Sequence, residues 1–315
     1  MVWGVGGKPM LNILGKRYLF FALSLIIIIP GLIMLGINGM PLSIDFKGGT
    51  YLEVQFPSGI LPSTEQVKDI FDSLNVTDAQ IQTTDENSLI IRSSALEESA
   101  RAQILSELSS IAGEDVVIIK ADTVGPSIGQ GVTQRALQAV GAAALAIVVY
   151  ITFAFRRVPH AFRFGVCAII AMVHDVLVVL ALTGYGSKFF GWQVDSLYLT
   201  AVLTVIGFSV QDKIVVFDRI RENTAVLRKL SFEQLANHSI VQTLQRSINT
   251  QLMTVEFFLL SLALFGGVTL REFAVILLVG LFSGTYSSIF IAAPLLVVWE
   301  NKEWRTWFKR SPKAA

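Results

Sequence analysis

Tyr18–Ile37 reads YLFFALSLIIIIPGLIMLGI, twenty residues without a charge. A helix of about 20 apolar residues is what the hydrocarbon core of a bilayer requires. The stretch is longer than the roughly 7–15-residue apolar core of a signal peptide, and no A-x-A-like site follows it. It therefore reads as a retained anchor, kinked at Pro30-Gly31. Five further stretches have the same character: Ala136–Phe155, Phe164–Gly184, Leu197–Phe217, Arg246–Phe265 and Phe273–Trp299. The last is long enough to tilt or to extend past the bilayer. The expected fold is a polytopic α-helical membrane protein with six transmembrane helices.

Composition supports this. Of the 315 residues, 53% are hydrophobic and 16% charged, against about 25% charged in a soluble domain. The near balance of 25 basic and 24 acidic residues argues against a nucleic-acid binder. One cysteine, Cys167, rules out a disulfide scaffold and reads as a buried small apolar residue.

Charge distribution sets orientation. With six spans, both termini (1–17 and 300–315) share a side with the short loop before Phe164 and with residues 218–245. Counting Arg246 at the cytoplasmic edge of the fifth span, that side carries 16 of the 25 basic residues, while the short loops opposite hold only Lys188 and Arg271. Basic loops stay in the cytoplasm, so both termini are expected there.

Residues 38–135, between the first two spans, hold 14 acidic and 6 basic residues and read as a soluble extracytoplasmic domain. Tyr51–Phe56 alternates like a half-buried strand. Ser63–Leu74 is a helix opened by a Ser63/Gln66 capping box, with Val67, Ile70, Phe71 and Leu74 on one face. Ala79–Thr83 and Ser88–Ser93 are strands joined by an Asp85-Glu86-Asn87 turn. Leu96–Ile111 is a helix and Val116–Val124 a final strand. The order β-α-β-β-α-β predicts an inserted ferredoxin-like α+β domain, in topology only, because iron-binding cysteines are absent.

Ionisable groups inside spans are costly and mark function by default. His174 and Asp175 lie mid-way along the third span. Gln211, Asp212 and Lys213 lie toward the cytoplasmic end of the fourth. Arg246 begins the fifth, with Glu256 near its centre. Antiparallel spans place Asp212 and Arg246 at similar depth. An acid facing an arginine there is either a proton relay, its proton affinity rising when the two separate, or a fixed ion pair. Adjacent helical residues point about 100° apart, so His174 and Asp175 are expected not to touch but to bond to other helices. Lys213 either snorkels to the cytoplasm or answers another carboxylate. Glu256 is a second proton carrier or a polar clasp. Gly280, Gly284 and Ser288, at four-residue spacing, form a packing face in the sixth span. Ser231–Leu244 is an amphipathic element leading into the fifth span, or a membrane-surface helix that merely orients it.

Enzymatic signatures are missing. Gly125–Gly131 (GPSIGQG) lacks the G-K-[ST] ending of a P-loop. No HExxH, G-x-S-x-G or metal-ligand spacing occurs among His160, His174 and His238. Neither catalysis nor a cofactor is expected.

IDFKGGT (Ile44–Thr50), with Asp45, Phe46, Gly48 and Gly49, resembles the D-F-x-G-G signature of the SecD/SecF family of protein-export membrane proteins. VGPSIG (Val124–Gly129), His174-Asp175, LQRSINT (Leu244–Thr250), LFGG (Leu264–Gly267) and GTYSSIFIAAPLL (Gly284–Leu296) resemble further motifs of that family. So does VIGFSVQDKIVVFDRIREN (Val205–Asn223), which includes Asp218, Arg219, Arg221, Glu222 and Asn223. The resemblance implies half of a transporter related to the resistance-nodulation-division superfamily. It further implies use of the proton-motive force with SecD to promote late export of unfolded polypeptide across the bacterial cytoplasmic membrane. The implied partners are SecD, the SecYEG channel and YajC. The family's intramembrane aspartate corresponds to Asp212 and its arginine to Arg246. The chain departs from the family in Lys213, where threonine or serine is common, and in Glu256, where small polar residues are usual. A proton-driven exporter of small molecules or lipids, and a static clamp, are the rival readings of the same architecture.

Overall fold

The computed structural model describes residues 2–3, 9–84, 87–156, 161–251 and 257–305. The chain forms two compact units. One comprises Met1–Gly39, Val140–Trp192 and Leu197–Ala315; the other comprises Met40–Ala139 and Gln193–Ser196.

The first unit opens with two-residue strands β1 (Val2–Trp3) and β2 (Pro9–Met10), paired antiparallel. After a short 3-10 turn comes α1 (Arg17–Asn38), which stays helical through Pro30. Proline removes an N–H and crowds the preceding turn. In that turn the carbonyl of Ile27 accepts a hydrogen bond from Tyr185 Oη at 2.9 Å, although the carbonyl that loses its helical donor to Pro30 is that of Ile26.

The second unit contains α2 (Ile44–Lys47), β3 (Gly49–Gln55), α3 (Thr64–Ser73), β4 (Gln80–Thr84), β5 (Ser88–Ser93), α4 (Glu98–Ala112) and β6 (Val117–Val124). The sheet order is β4-β5-β3-β6, with every neighbouring pair antiparallel. Each helix links two strands that have a third between them, so the sheet is two interleaved split βαβ units. The strands and helices lie within two residues of the expected boundaries, because strand alternation and the helical apolar stripe both report the same buried face. That face is Leu52, Val54, Phe56, Leu89 and Ile91 of the sheet region, covered by Val67, Ile70 and Phe71 of α3 and by Ile104 and Leu108 of α4. The Ser63/Gln66 capping box is formed in both directions, at 3.2 and 2.9 Å.

Two sequence motifs converge in this unit. Ser43 caps α2 through Asp45 N, and Asp45 Oδ2 accepts from Ser196 N at 3.0 Å and Ser196 Oγ at 2.6 Å. Gly49 has φ +135°, and a Cβ there would lie 2.4 Å from the Ser93 carbonyl oxygen; only glycine fits. A Cβ on Gly129 would lie 2.7 Å from Gly48 N, and Thr133 Oγ1 donates to the carbonyl of buried Phe46 at 3.0 Å. The D-F-x-G-G turn thus packs on the start of α5 (Pro126–Phe155).

Returning to the first unit, α6 (Ala161–Phe190), α7 (Ser196–Val226), α8 (Phe232–Gln251), α9 (Phe257–Phe265) and α10 (Val268–Ser287) follow. A π-helical turn at Ser288–Ala292 then leads to α11 (Ala293–Glu300). Pro294, at the start of α11, cannot donate back along the chain, and the widened turn accommodates it. Backbones touch where glycines meet. A Cβ on Gly31 of α1 would lie 2.5 Å from Ala181 O, and one on Gly184 of α6 would lie 2.2 Å from Gly31 O. Gly280 of α10 instead makes room for the side chain of Val205 of α7. Phe155, Phe164 and Phe217 interlock with ring centroids 5.3–5.9 Å apart.

Five of the six expected spans have counterparts among the described residues. Among the described residues, five helices are long and apolar enough to cross a membrane: Leu14–Asn38, Pro126–Phe155, Ala161–Phe190, Ser196–Val226 and Leu270–Glu300. The expected fifth span, 246–265, is not among them. It covers the end of α8, residues 252–256, which lie outside the described residues, and the nine-residue α9. Most observed helices outrun the expected limits, because a helix continues past its apolar stretch while helix-forming residues persist. Residues 218–245 are correspondingly mostly helix, shared between α7 and α8.

Nor is Ser231–Leu244 a helix lying on lipid. Leu235, Ala236 and Ile240 of α8 are buried in the bundle core with Leu14, Phe217 and Ile220. Asn237 Oδ1 accepts from Ile13 N at 2.9 Å and Leu14 N at 3.2 Å, and its Nδ2 donates to Leu11 O at 2.7 Å.

Candidate functional site

The polar centre of the membrane-spanning unit is Asp175 on α6. Its carboxylate is fully buried. Oδ2 accepts from Lys213 Nζ at 2.7 Å, Ser209 Oγ at 2.6 Å and Ser287 Oγ at 2.7 Å. Oδ1 accepts from Ser283 Oγ at 2.8 Å and contacts His174 Nδ1 at 3.1 Å. Three helices, α6, α7 and α10, contribute. A carboxylate has about four lone-pair sites, so Asp175 is saturated.

Lys213 is equally enclosed. Besides Asp175, its Nζ meets Ser209 Oγ at 2.5 Å, Ser287 Oγ at 2.9 Å and Ser209 O at 3.2 Å. Of the two roles open to Lys213, answering another carboxylate is the observed one. Desolvating an ion costs several kcal/mol, and a pair compensates only with good geometry and further hydrogen bonds. This pair has both.

His174 and Asp175 do touch, contrary to expectation. The 100° offset applies to their Cβ directions, but Nδ1 is the imidazole nitrogen nearest the backbone and reaches the neighbouring carboxylate. The ring stacks near Tyr286, with centroids 6.1 Å apart at 26°. Tyr286 Oη donates to Phe20 O at 2.9 Å and lies 3.3 Å from Ser24 Oγ.

Asp212 follows a different pattern. It lies on α7 beside Lys213, is 8% exposed, and accepts from Thr285 Oγ1 at 3.1 Å. Arg246 is an exposed residue of α8. Glu256 lies outside the described residues. Cys167 is buried among apolar side chains. At the end of α7, Arg219 pairs with Glu222 at 2.8 Å and Arg221 with Asp218 at 2.5 Å. Asn223 donates to Ser239 Oγ and Gln242 Oε1 of α8 at 2.8 and 2.9 Å. On α10, Gly280 and Gly284 face Val205 and Ser209, while buried Ser288 Oγ donates back to Thr285 O. Among the described residues no cluster of three or more His, Cys, Asp or Glu could hold a metal.

Sequence reasoning missed the Asp175–Lys213 pair and the hydroxyls around it. The signal was present: opposite charges within consecutive antiparallel spans, with serines at i and i+4 on a third.

A family model described as "Protein export membrane protein SecD/SecF, C-terminal" matches residues 103–302, and one for the SecD/SecF GG motif matches residues 33–56. The chain belongs to the SecD/SecF family. It is 65% identical over 306 residues to the protein translocase subunit SecF of Anaerolinea thermophila, covering 97% of this chain and 99% of that one. It is 45% identical to the SecF of Thermobaculum terrenum over 321 residues, again 97% and 99% of the two chains. The crystal structure of SecDF from Thermus, a translocon-associated membrane protein, matches with a TM-score of 0.81 at 31% identity. That match covers 96% of this chain and 40% of the SecDF chain. A SecDF structure in a super-membrane-facing form matches at 0.67. The chain is thus a SecF-like, multi-pass membrane protein spanning about two-fifths of the solved SecDF structures.

Proposed function

We propose that the chain acts as the SecF-like subunit of a protein-export complex and pairs with SecD. In this reading the proton-motive force drives late steps of export across the bacterial inner membrane. The observation that carries the proposal is Asp212, an acid buried within α7 and hydrogen-bonded across to α10. Burial favours the protonated acid, while a cation brought near favours the ionised one. Motion of Arg246 toward or away from Asp212 therefore converts a conformational change into uptake or release of a proton. Asp175 is unsuited to that role as it stands, because Lys213 and three hydroxyls hold it ionised.

The same reading takes the end of α8, residues 252–256 and α9 as the sixth crossing, with both termini cytoplasmic and the β3–β6 unit on the outer face, where it meets the emerging unfolded polypeptide. SecYEG and YajC are the further partners proposed. Coverage of 99% of the length of SecF relatives favours this over a small-molecule exporter half. The test is Asp212→Asn in inverted membrane vesicles with SecD and the channel. Loss of proton-motive-force-dependent translocation, with assembly intact, is expected. Wild-type rates overturn the relay.

A further inference from the structure

We propose that a cavity of about 370 Å³ in the β3–β6 unit holds the headgroup of a phospholipid, with Lys47 and Arg92 on its phosphodiester and Asp78 on a pendant ammonium. The cavity lies where the D-F-x-G-G turn meets the start of β4 and the end of β5, and Ser43, Gln80 and Ser94 complete its polar lining. Its size is that of a small-molecule site. Its side chains suit a charged group rather than hydrocarbon.

Charge singles this cavity out. Residues 38–135 hold 14 acidic and 6 basic residues, yet the cavity draws two of the six, Lys47 and Arg92, and one of the fourteen, Asp78. A cavity placed without regard to charge in so acidic a domain would carry the opposite excess. Lys47 is exposed on α2 and forms no ion pair among the described residues. Arg92 is held in place: its Nη1 donates to Gln82 Oε1 at 3.3 Å, and its guanidinium lies 5.4 Å from the centroid of the Tyr51 ring. Ser43 Oγ accepts from Asp45 N at 3.2 Å and keeps its own hydrogen to donate. A fixed guanidinium fork matches two phosphate oxygens, and a lysine ammonium adds a point charge.

Asp78 decides between anions. Beside a free phosphate it is a like charge and weakens binding. Beside an ethanolamine headgroup it is complementary, because phosphate and ammonium are joined in one molecule.

Chain connectivity keeps the cavity near the bilayer. Leu42, on its wall, is four residues beyond the end of α1 at Asn38, and Gln193 is three beyond the end of α6 at Phe190. Four residues reach at most about 14 Å, and the headgroup layer is about 5–8 Å deep on each side of the hydrocarbon core. The proposal does not depend on the Asp212 relay.

The experiment is native mass spectrometry of the full-length protein in detergent, titrated with dioleoylphosphatidylethanolamine. Lys47→Gln, which changes only an exposed side chain, should weaken lipid binding about tenfold, the loss of one charge-assisted hydrogen bond. Arg92→Gln should do the same. Lys68→Gln, a cation of α3 outside the cavity, should change nothing. Dioleoylphosphatidylglycerol, which has the phosphodiester but no ammonium, should bind more weakly than the ethanolamine lipid, and Asp78→Asn should narrow that difference. Glycerophosphoethanolamine should compete with the lipid, whereas inorganic phosphate should not. Equal binding by the wild type, Lys47→Gln and Arg92→Gln overturns the proposal, and so does equal competition by inorganic phosphate. A benzophenone side chain placed at Ser94 should capture lipid in phosphatidylethanolamine vesicles; capture of translocating polypeptide in its place also overturns it.

Discussion

Asp175 and Lys213 form an ion pair at 2.7 Å whose side chains are 1% and 0% exposed, joining α6 to α7 across 38 residues of sequence. Removing one partner leaves an uncompensated buried charge, which costs about 3–5 kcal/mol, whereas replacing both by apolar groups is often neutral. Asp175→Leu and Lys213→Met should therefore each strongly lower the unfolding midpoint in detergent. The double variant should recover most of the loss. Additive losses would show that the pair is not coupled.

The α1–α6 contact makes a second prediction. Gly31→Ala or Gly184→Ala forces a methyl to within 2.2–2.5 Å of a backbone oxygen, and overpacking of this kind costs about 1–3 kcal/mol. Gly36→Ala, with nothing within 4 Å, is the control and should be neutral or stabilising. Thermal melts of the three proteins decide the matter.

In the other unit, Gly49→Ala combines a disallowed φ with a collision at the Ser93 carbonyl. Amide exchange in β3 and β5 should accelerate while exchange in α6 is unchanged, consistent with loss local to one domain.

A pH effect follows from Glu303. Burial raises its proton affinity, but hydrogen bonds from Tyr18, Arg17 and Asn301, together with the Arg17 charge, outweigh this and hold its carboxyl below the usual glutamate range. Because the folded value is lowered, its stabilising contribution is present above about pH 4.3, the unfolded value, and is lost as pH falls through the folded one. Acid titration of stability should show this limb, and Glu303→Gln should abolish it.

Much of the architecture was legible because it rests on local repetition. The alternation in Tyr51–Phe56, the Ser63/Gln66 cap and the charge-free run of Tyr18–Ile37 each report a single environment along the chain. The site was legible only in part. His174, Asp175, Asp212 and Lys213 stand out because charge is rare in lipid, but which of them meet depends on helix rotation, which composition does not encode. Ser283 and Ser287 were hidden for another reason. Their spacing matches a packing stripe as well as a pair of donors, and only the carboxylate opposite distinguishes the two. The fifth expected span was the least legible, because it begins inside α8 and runs on through residues 252–256, outside the described residues.

One consequence concerns α10. Ser283 and Ser287 reach Asp175, while Thr285, about 200° round the helix from Ser283, reaches Asp212. The two acids are served from opposite flanks of one rod whose middle, Gly280 and Gly284, rests on α7. Rolling that rod either way presses one flank in and draws the other out. A roll of α10 would therefore change the hydroxyl donors of both carboxylates at once, in opposite senses.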